Sequence, residues 1–258
     1  MEKKMKIHQI RNATLIITFN NVKFLIDPWL MPKDYMPGFD TGIHSEIRQP
    51  RTELPLNIEQ IVDVDAVILT HYHPDHWDEF AAKALNKDIP FFVQSTDDAE
   101  TVKKFGFNNV AVIESKIEFS GVSLFKTKGQ HGKREIIAPL CEKIGMTYDA
   151  MGVVFKSENE KKLYLAGDTI WCNEVKENID EYNPDIIIVN ACGAKTVIGE
   201  RLIMDADDVK AVSEYAKNAI IIASHMDTVS HLSVTRDDIK KLGLPNVLVP
   251  NDNDILEF

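Results

Sequence analysis

Within six residues, His71-x-His73-x-Asp75-His76, the chain gathers three imidazoles and a carboxylate. These are ligands that suit Zn²⁺, Mn²⁺ or Fe. They follow Ala66-Val67-Ile68-Leu69, a continuous apolar run that reads as a buried strand. If the extended backbone continues, His71 and His73 project to one face and can share a metal. Pro74 ends the strand, so Asp75 and His76 fall in a turn, point elsewhere and reach towards a second metal. Two metals need ligands from further along the chain. His131 in Gly-Gln-His-Gly, Asp168 in Gly-Asp-Thr and His225 in Ser-His-Met-Asp each stand at the end of an expected strand. Asp168, after the strand Leu163-Tyr164-Leu165-Ala166, suits a bridging position. A lone histidine is more often solvated or satisfied than a ligand, and that reading is kept for His8 and His44.

A rigid sheet holds such groups at strand ends while loops shape the space around them. The expected strands are 66–69, 90–93, 110–113, 117–119, 122–126, 153–155, 162–166, 186–189, 220–223 and 247–249. Residues 13–27 read as a β-hairpin turning at Asn20-Asn21 and ending at Asp27-Pro28-Trp29. Helices are expected over 58–62, 77–85, 97–105, 175–182, 205–217 and 236–242, several opening on acidic first turns. Residues 31–55 carry four prolines and little periodicity, so they read as a long loop, either a lid over the site or a surface segment. Hairpins early in each half and alternating strand and helix later suggest two sheets face to face with helices outside. The expected fold is α/β, a four-layer αββα sandwich, with residues 1–258 as one domain.

Composition narrows the partners. Lys and Arg number 29 against 40 Asp and Glu, a formal net charge of −11 over 258 residues. Phosphate backbones select for cations, so nucleic acid and anionic membranes are disfavoured. Three widely spaced cysteines, Cys141, Cys172 and Cys192, form no C-x-x-C pair and suit a reducing compartment as small buried apolar groups. The basic start, residues 1–7, precedes an apolar run too short for a secretion signal, and no stretch is long enough to span a bilayer. A cytoplasmic location is expected.

The Thr-His-Tyr-His-Pro-Asp-His segment resembles the H-x-H-x-D-H signature of the metallo-β-lactamase superfamily, and the stations at His131, Asp168 and His225 follow in that superfamily's order. The resemblance implies the αββα sandwich and a centre of two divalent metal ions, Zn²⁺ or Mn²⁺ with Fe open. It implies that His71, His73 and His131 hold one metal, that Asp75, His76 and His225 hold the other, and that Asp168 bridges. Asp27 matches an early strand-end aspartate that orients ligands. Gly-Asp-Thr-Ile-Trp171, Asn190-Ala-Cys-Gly-Ala and His225-Met-Asp-Thr-Val-Ser-His231 are similar to the L-ascorbate-6-phosphate lactonase-like branch.

The expected activity is metal-dependent hydrolysis. A metal lowers the pKa of bound water from about 15.7 towards about 7. A metal-bridging hydroxide would then attack a small ester-like substrate, a lactone or sugar-phosphate lactone being the most concrete. Asp75 is expected to orient the nucleophile or pass its proton on, and His231 to contact substrate or act as an acid. Tyr72, Trp171, Asn190 and Lys133 or Arg134 are candidate pocket groups, the cations suiting an anionic substrate. Two alternatives stay open: a phosphodiesterase or nuclease-type hydrolase with the same centre, and a non-catalytic metal-binding protein. A homo-oligomer is compatible with the sequence.

Overall fold

The computed structural model describes residues 5–158 and 160–258, so the first four residues of the basic start lie outside the described residues. The chain opens as an antiparallel meander of β1 (Lys6–Arg11), β2 (Thr14–Phe19) and β3 (Val22–Ile26). Asn20 and Asn21, both at positive φ, make the tight β2–β3 turn that the hairpin reading expected. After the long 31–55 segment come α1 (Ile58–Ile61), β4 (Ala66–Leu69), α2 (Glu79–Ala84), β5 (Phe91–Val93), α3 (Thr96–Lys104) and β6 (Val110–Val112). Strands β3 to β6 run parallel. The second half holds β7 (Lys116–Phe119), β8 (Val122–Thr127), α4 (Arg134–Ile144), β9 (Gly152–Lys156), β10 (Leu163–Leu165) and α5 (Asn173–Tyr182). It continues with β11 (Ile186–Asn190), α6 (Ala206–Tyr215), β12 (Ile220–Ser224), α7 (Arg236–Lys241) and β13 (Val247–Leu248). Strand β14 (Ile255–Glu257) returns to pair with β1.

The strands form two seven-stranded sheets, ordered β14-β1-β2-β3-β4-β5-β6 and β13-β12-β11-β10-β9-β8-β7. Side-chain alternation makes the layers. Ile186, Ile188 and Ile222 face inward and join Phe155, Leu163 and Leu165 against Ile17, Phe24, Ile26 and Ile68 of the other sheet. The intervening positions Ile187, Val189 and Ile221 face outward onto Val175, Val209 and Val212 of α5 and α6. On the far side Val67, Leu69 and Phe91 pack against Ala81 of α2 and Val102 of α3. The four-layer sandwich expected from the sequence is the observed architecture. Among the described residues no helix is long and apolar enough to cross a membrane.

Three elements escaped the sequence reading: β1, α4 and the short C-terminal β14. Strand β1 alternates Ile7 with His8 but then buries Gln9 and Arg11, so its inward face looks polar in sequence. Helix α4 carries Pro139 in its interior, which removes a backbone donor and masks the helical pattern. The segment 31–55 is tied down rather than trailing free. Met36 bridges Gln49, Gly42 bridges Thr196, and the buried Arg11 guanidinium donates to the carbonyls of Trp29, Met31 and Thr52.

Candidate metal centre

The apolar strand β4 delivers its polar sequel into the seam between the two sheets. His71, His76, Asp168 and His225 are all at most 3% exposed, and His73, Asp75 and His131 are nearly as buried. The first sheet supplies His71, His73, Asp75 and His76 from the loop after β4. The second supplies His131 after β8, Asp168 after β10 and His225 after β12. The turns are sharp. Gly167 adopts φ +71 with Met151 O at 2.6 Å from where a Cβ would stand, and this launches Asp168. His225 itself sits at φ 59 and Asp27 at φ 44, left-handed conformations that non-glycine residues adopt only when their surroundings hold them.

The donor atoms converge in three overlapping groups, each within 4.8 Å: His71, His73 and His131; His71, His76 and Asp168; Asp75, His76 and His225. Asp168 Oδ2 stands between the outer two, 3.2 Å from His76 Nε2 and 3.9 Å from Nε2 of both His71 and His131. Asp75 Oδ2 is 3.3 Å from His225 Nε2. All seven residues picked from the sequence as ligands therefore meet in one place. His8 and His44 lie apart, His8 bonded to Asn253 and His44 exposed beside Glu46.

A second ring of groups orients the imidazoles. His76 Nδ1 donates to Asp27 Oδ2 at 2.9 Å, and Asp27 also accepts from Thr70 N at 2.7 Å and Thr70 Oγ1 at 2.8 Å. Thr70 Oγ1 in turn accepts from His71 Nδ1 at 3.0 Å. His73 Nε2 donates to Thr147 O and His131 Nδ1 to Leu202 O. Asn190 Nδ2 donates to Asp168 Oδ1 at 2.6 Å, so Asn190 holds the carboxylate rather than lining the pocket. Asn12, in the β1–β2 turn, donates to the carbonyl of Asp75 and lies 3.3 Å from His225 Nε2. Asp27 was expected in this ring. Thr70, Asn12 and the Thr147 carbonyl were not, because nothing in their own sequence neighbourhood marks them.

The electrostatics fit a cation. Burial, with His76 and His73 adding to it, pushes His71 well below the usual imidazole range, and its Nε2 is buried with no partner. Burial and His131 push His73 down to about 3. For His76 burial is outweighed by Asp168, Asp27 and Asp75, which push it up to about 10. His225 is likewise raised despite burial, chiefly by Asp168. Asp75 and Asp168 overcome burial and stay well below the carboxylate range because His76 faces both. Neutral nitrogen donors, one of them orphaned, sit beside buried carboxylates that demand positive charge. A divalent ion satisfies both, so the residues fit a metal.

A cavity of about 290 Å³ opens on this cluster. Its wall is apolar: Ile137, Leu140 and Ile144 of α4, Met146 and Leu202, and Phe39 of the 31–55 segment. Phe39 packs edge-on against His231 with ring centroids 5.2 Å apart. His231 lines the cavity, is 6% exposed, and its Nδ1 is buried without a partner. Burial pushes it down to about 4, so it is neutral at physiological pH. Gly42 leaves room for this ring, since a Cβ there would stand 2.7 Å from His231 Cβ.

Other expected pocket groups lie elsewhere. Lys133 pairs with Glu200 and Arg134 with Asp149, so neither is presented to the cluster. Their exposed positions at the start of α4 let surface carboxylates take them first. Tyr72 and Arg134 line a separate polar cavity of about 780 Å³. Trp171 packs edge-on against Tyr215 and stays outside the apolar cavity.

Comparison with known proteins gives a consistent set of likenesses. A family model described as a β-lactamase superfamily domain matches residues 23–226. The UPF0173 protein YddR of Bacillus subtilis (strain 168) is 40% identical over 98% of this chain and 100% of its own. The structure of isothiocyanate hydrolase from Delia radicum gut bacteria superposes with a TM-score of 0.93 at 36% identity, covering 98% of this chain and 99% of that one. The possible metal-dependent hydrolase of Veillonella parvula DSM 2008 gives 0.94 at 37% identity, with the same coverage.

Proposed function

The chain belongs to the β-lactamase superfamily and is a metal-dependent hydrolase, and from that premise we propose that its substrate is a small, uncharged, apolar electrophile of the isothiocyanate type, R–N=C=S. The observation that carries this reading is the apolar cavity opening directly on the ligand cluster. Among the described residues lining it, Lys143 is the sole lysine or arginine, and it lies exposed. A phosphorylated sugar lactone finds no paired cation there, whereas an alkyl or arylalkyl side chain finds α4 and Phe39. The hydrolase of known structure that is 36% identical to this chain is named for isothiocyanates.

Two metal ions are proposed, one on His71, His73 and His131, the other on Asp75, His76 and His225, with Asp168 between them. Bound metal would supply an acidified water and a Lewis-acid contact to the substrate heteroatom. The chain's own groups do the rest. Water oxygen bonds to the central carbon of R–N=C=S, and the C=N electron pair moves to nitrogen. Asp75 takes the water proton and passes it to that nitrogen. In the thiocarbamic acid formed, R–NH–C(=S)–OH, Asp75 takes the remaining O–H proton and returns it to nitrogen. The C–N pair leaves with nitrogen, and the O–H pair closes the C=O bond, releasing R–NH₂ and carbonyl sulfide. His231, neutral and facing the cavity, donates a hydrogen bond to the charge that develops on sulfur or nitrogen. Phe39 and α4 exclude bulk water from the apolar side chain.

The test is a substrate panel with metal-stripped and Zn²⁺- or Mn²⁺-loaded protein. Allyl and phenethyl isothiocyanate should release amine only with metal present. Neutral lactones, a sugar-phosphate lactone and bis-p-nitrophenyl phosphate should turn over more slowly. Faster cleavage of the phosphodiester, or of the phosphorylated lactone, would overturn the reading.

A further inference from the structure

Four of the five clustered imidazoles rest their outer nitrogen on oxygen: a carboxylate for His76, a hydroxyl for His71, and backbone carbonyls for His73 and His131. His225 differs. Its Nδ1 lies 3.6 Å from the Sγ of Cys192. Its Nε2 faces the cluster, 3.3 Å from Asp75 Oδ2 and 3.3 Å from His76 Nε2. For Nε2 to offer its lone pair to a metal, the proton must sit on Nδ1, and a buried N–H needs an acceptor.

We propose that Cys192 is a positioning residue: its sulfur accepts the His225 Nδ1 proton and so fixes the tautomer and ring orientation that present Nε2 to metal. The proposal rests on the metal-centre reading above. The thiol is held for this. Cys192 is fully buried just beyond β11, and its carbonyl accepts from Ser233 N and Val234 N, both at 2.9 Å. The neighbouring Ala191 N donates to Ser224 O, which locks the Cys192 loop to the end of β12 that carries His225. Sulfur is a weak acceptor, yet no other acceptor is recorded for Nδ1 among the described residues.

The competing account is that Cys192 merely fills space in the apolar cluster around α5 and α6. Cys192→Ala and Cys192→Ser separate the two, because packing favours alanine and positioning favours serine. Full-length protein is stripped with chelator and reloaded with Zn²⁺, with uptake measured by elemental analysis and competition against a chromophoric chelator. Cobalt(II) absorption reports ligand geometry independently of turnover. In Cys192→Ala one metal equivalent should weaken about tenfold, the lower end for losing a ligand's orienting partner. Cys192→Ser should recover to within about threefold of wild type on the same scale. Wild-type affinity in the alanine variant, or a serine variant no better than alanine, would overturn the proposal while leaving the metal centre standing. A wild-type chain that takes up no metal would overturn both. Should the variants fail to fold, ¹⁵N spectra of the zinc-loaded wild type decide: Nδ1 of His225 protonated is expected, and the opposite tautomer refutes.

Discussion

Replacing Asp27 with asparagine changes one atom in shape and reverses the hydrogen-bonding sense of half the side chain. The native carboxylate accepts three donors: Thr70 N on Oδ1, and Thr70 Oγ1 and His76 Nδ1 on Oδ2. In Asp27→Asn the remaining oxygen keeps Thr70 N, but an NH₂ now faces the other two donors. Thr70 Oγ1 already accepts from His71 Nδ1, so it cannot turn its hydrogen away without leaving it unpaired. His76 must lose a charge-assisted bond or flip its proton to Nε2, the nitrogen nearest Asp168. The flipped tautomer has no lone pair for metal. Losing such a bond costs about 1.5–3 kcal/mol, and about 1.4 kcal/mol is tenfold in affinity. The expected result is therefore a metal equivalent held about 10- to 100-fold more weakly. Chelator competition measures this, and thermal melts of the loaded protein should fall with it. Asp27→Asn protein that holds metal within about threefold of wild type would refute the orienting role, since no other described residue accepts from His76 Nδ1 in place of the carboxylate.

Three further outcomes follow from the same geometry. In metal-free protein His76 is pushed up to about 10, above its unfolded value of about 6.5, so its stabilisation is complete below about 6.5 and is lost as pH rises towards 10. His73, pushed down to about 3, works oppositely and adds stability as pH rises from about 3 to about 6.5. Metal-free melting temperatures should thus peak near neutrality and fall on the alkaline side, and metal saturation should abolish the alkaline fall. Gly42→Val, whose new Cβ would stand 2.7 Å from His231 Cβ, should lower kcat by about tenfold or more while metal content stays unchanged. Ile144→Glu, at a 47% exposed position on the cavity wall, should leave stability nearly intact and cut kcat/KM for apolar substrates by about tenfold.

The convergence of the seven clustered residues was legible because most of them follow an apolar run that had to be a buried strand, and polar residues at such an end are conspicuous. The layering was legible for the same reason, through the apolar strands of β4, β10, β11 and β12. Helix α4 was not, because Pro139 interrupts its pattern, and with it went the apolar wall that argues about substrate. Lys133 and Arg134 looked available to an anion because a sequence does not show that Glu200 and Asp149 reach them first. Cys192 and Thr70 are ordinary in type. Their roles exist only where separate strands bring them against His225 and His71.

The cluster draws its side chains from both sheets, whose interiors meet through side chains and whose ends are tied by backbone bonds, His225 N to Asn12 O at 3.0 Å and Met151 N to Thr70 O at 3.2 Å. Phe24 and Phe19 of one meet Phe155 of the other, with ring centroids 5.4 and 5.7 Å apart. Coordination tolerates only about 0.2 Å of error in a ligand distance. Packing in the hydrophobic interior therefore works with these backbone ties to set the spacing of the clustered donors, and a slip of one sheet over the other would move the donors of one sheet against those of the other. Metal content then becomes a gauge of packing deep in the molecule, and a remote trimming of Phe155 would register first as leaking metal.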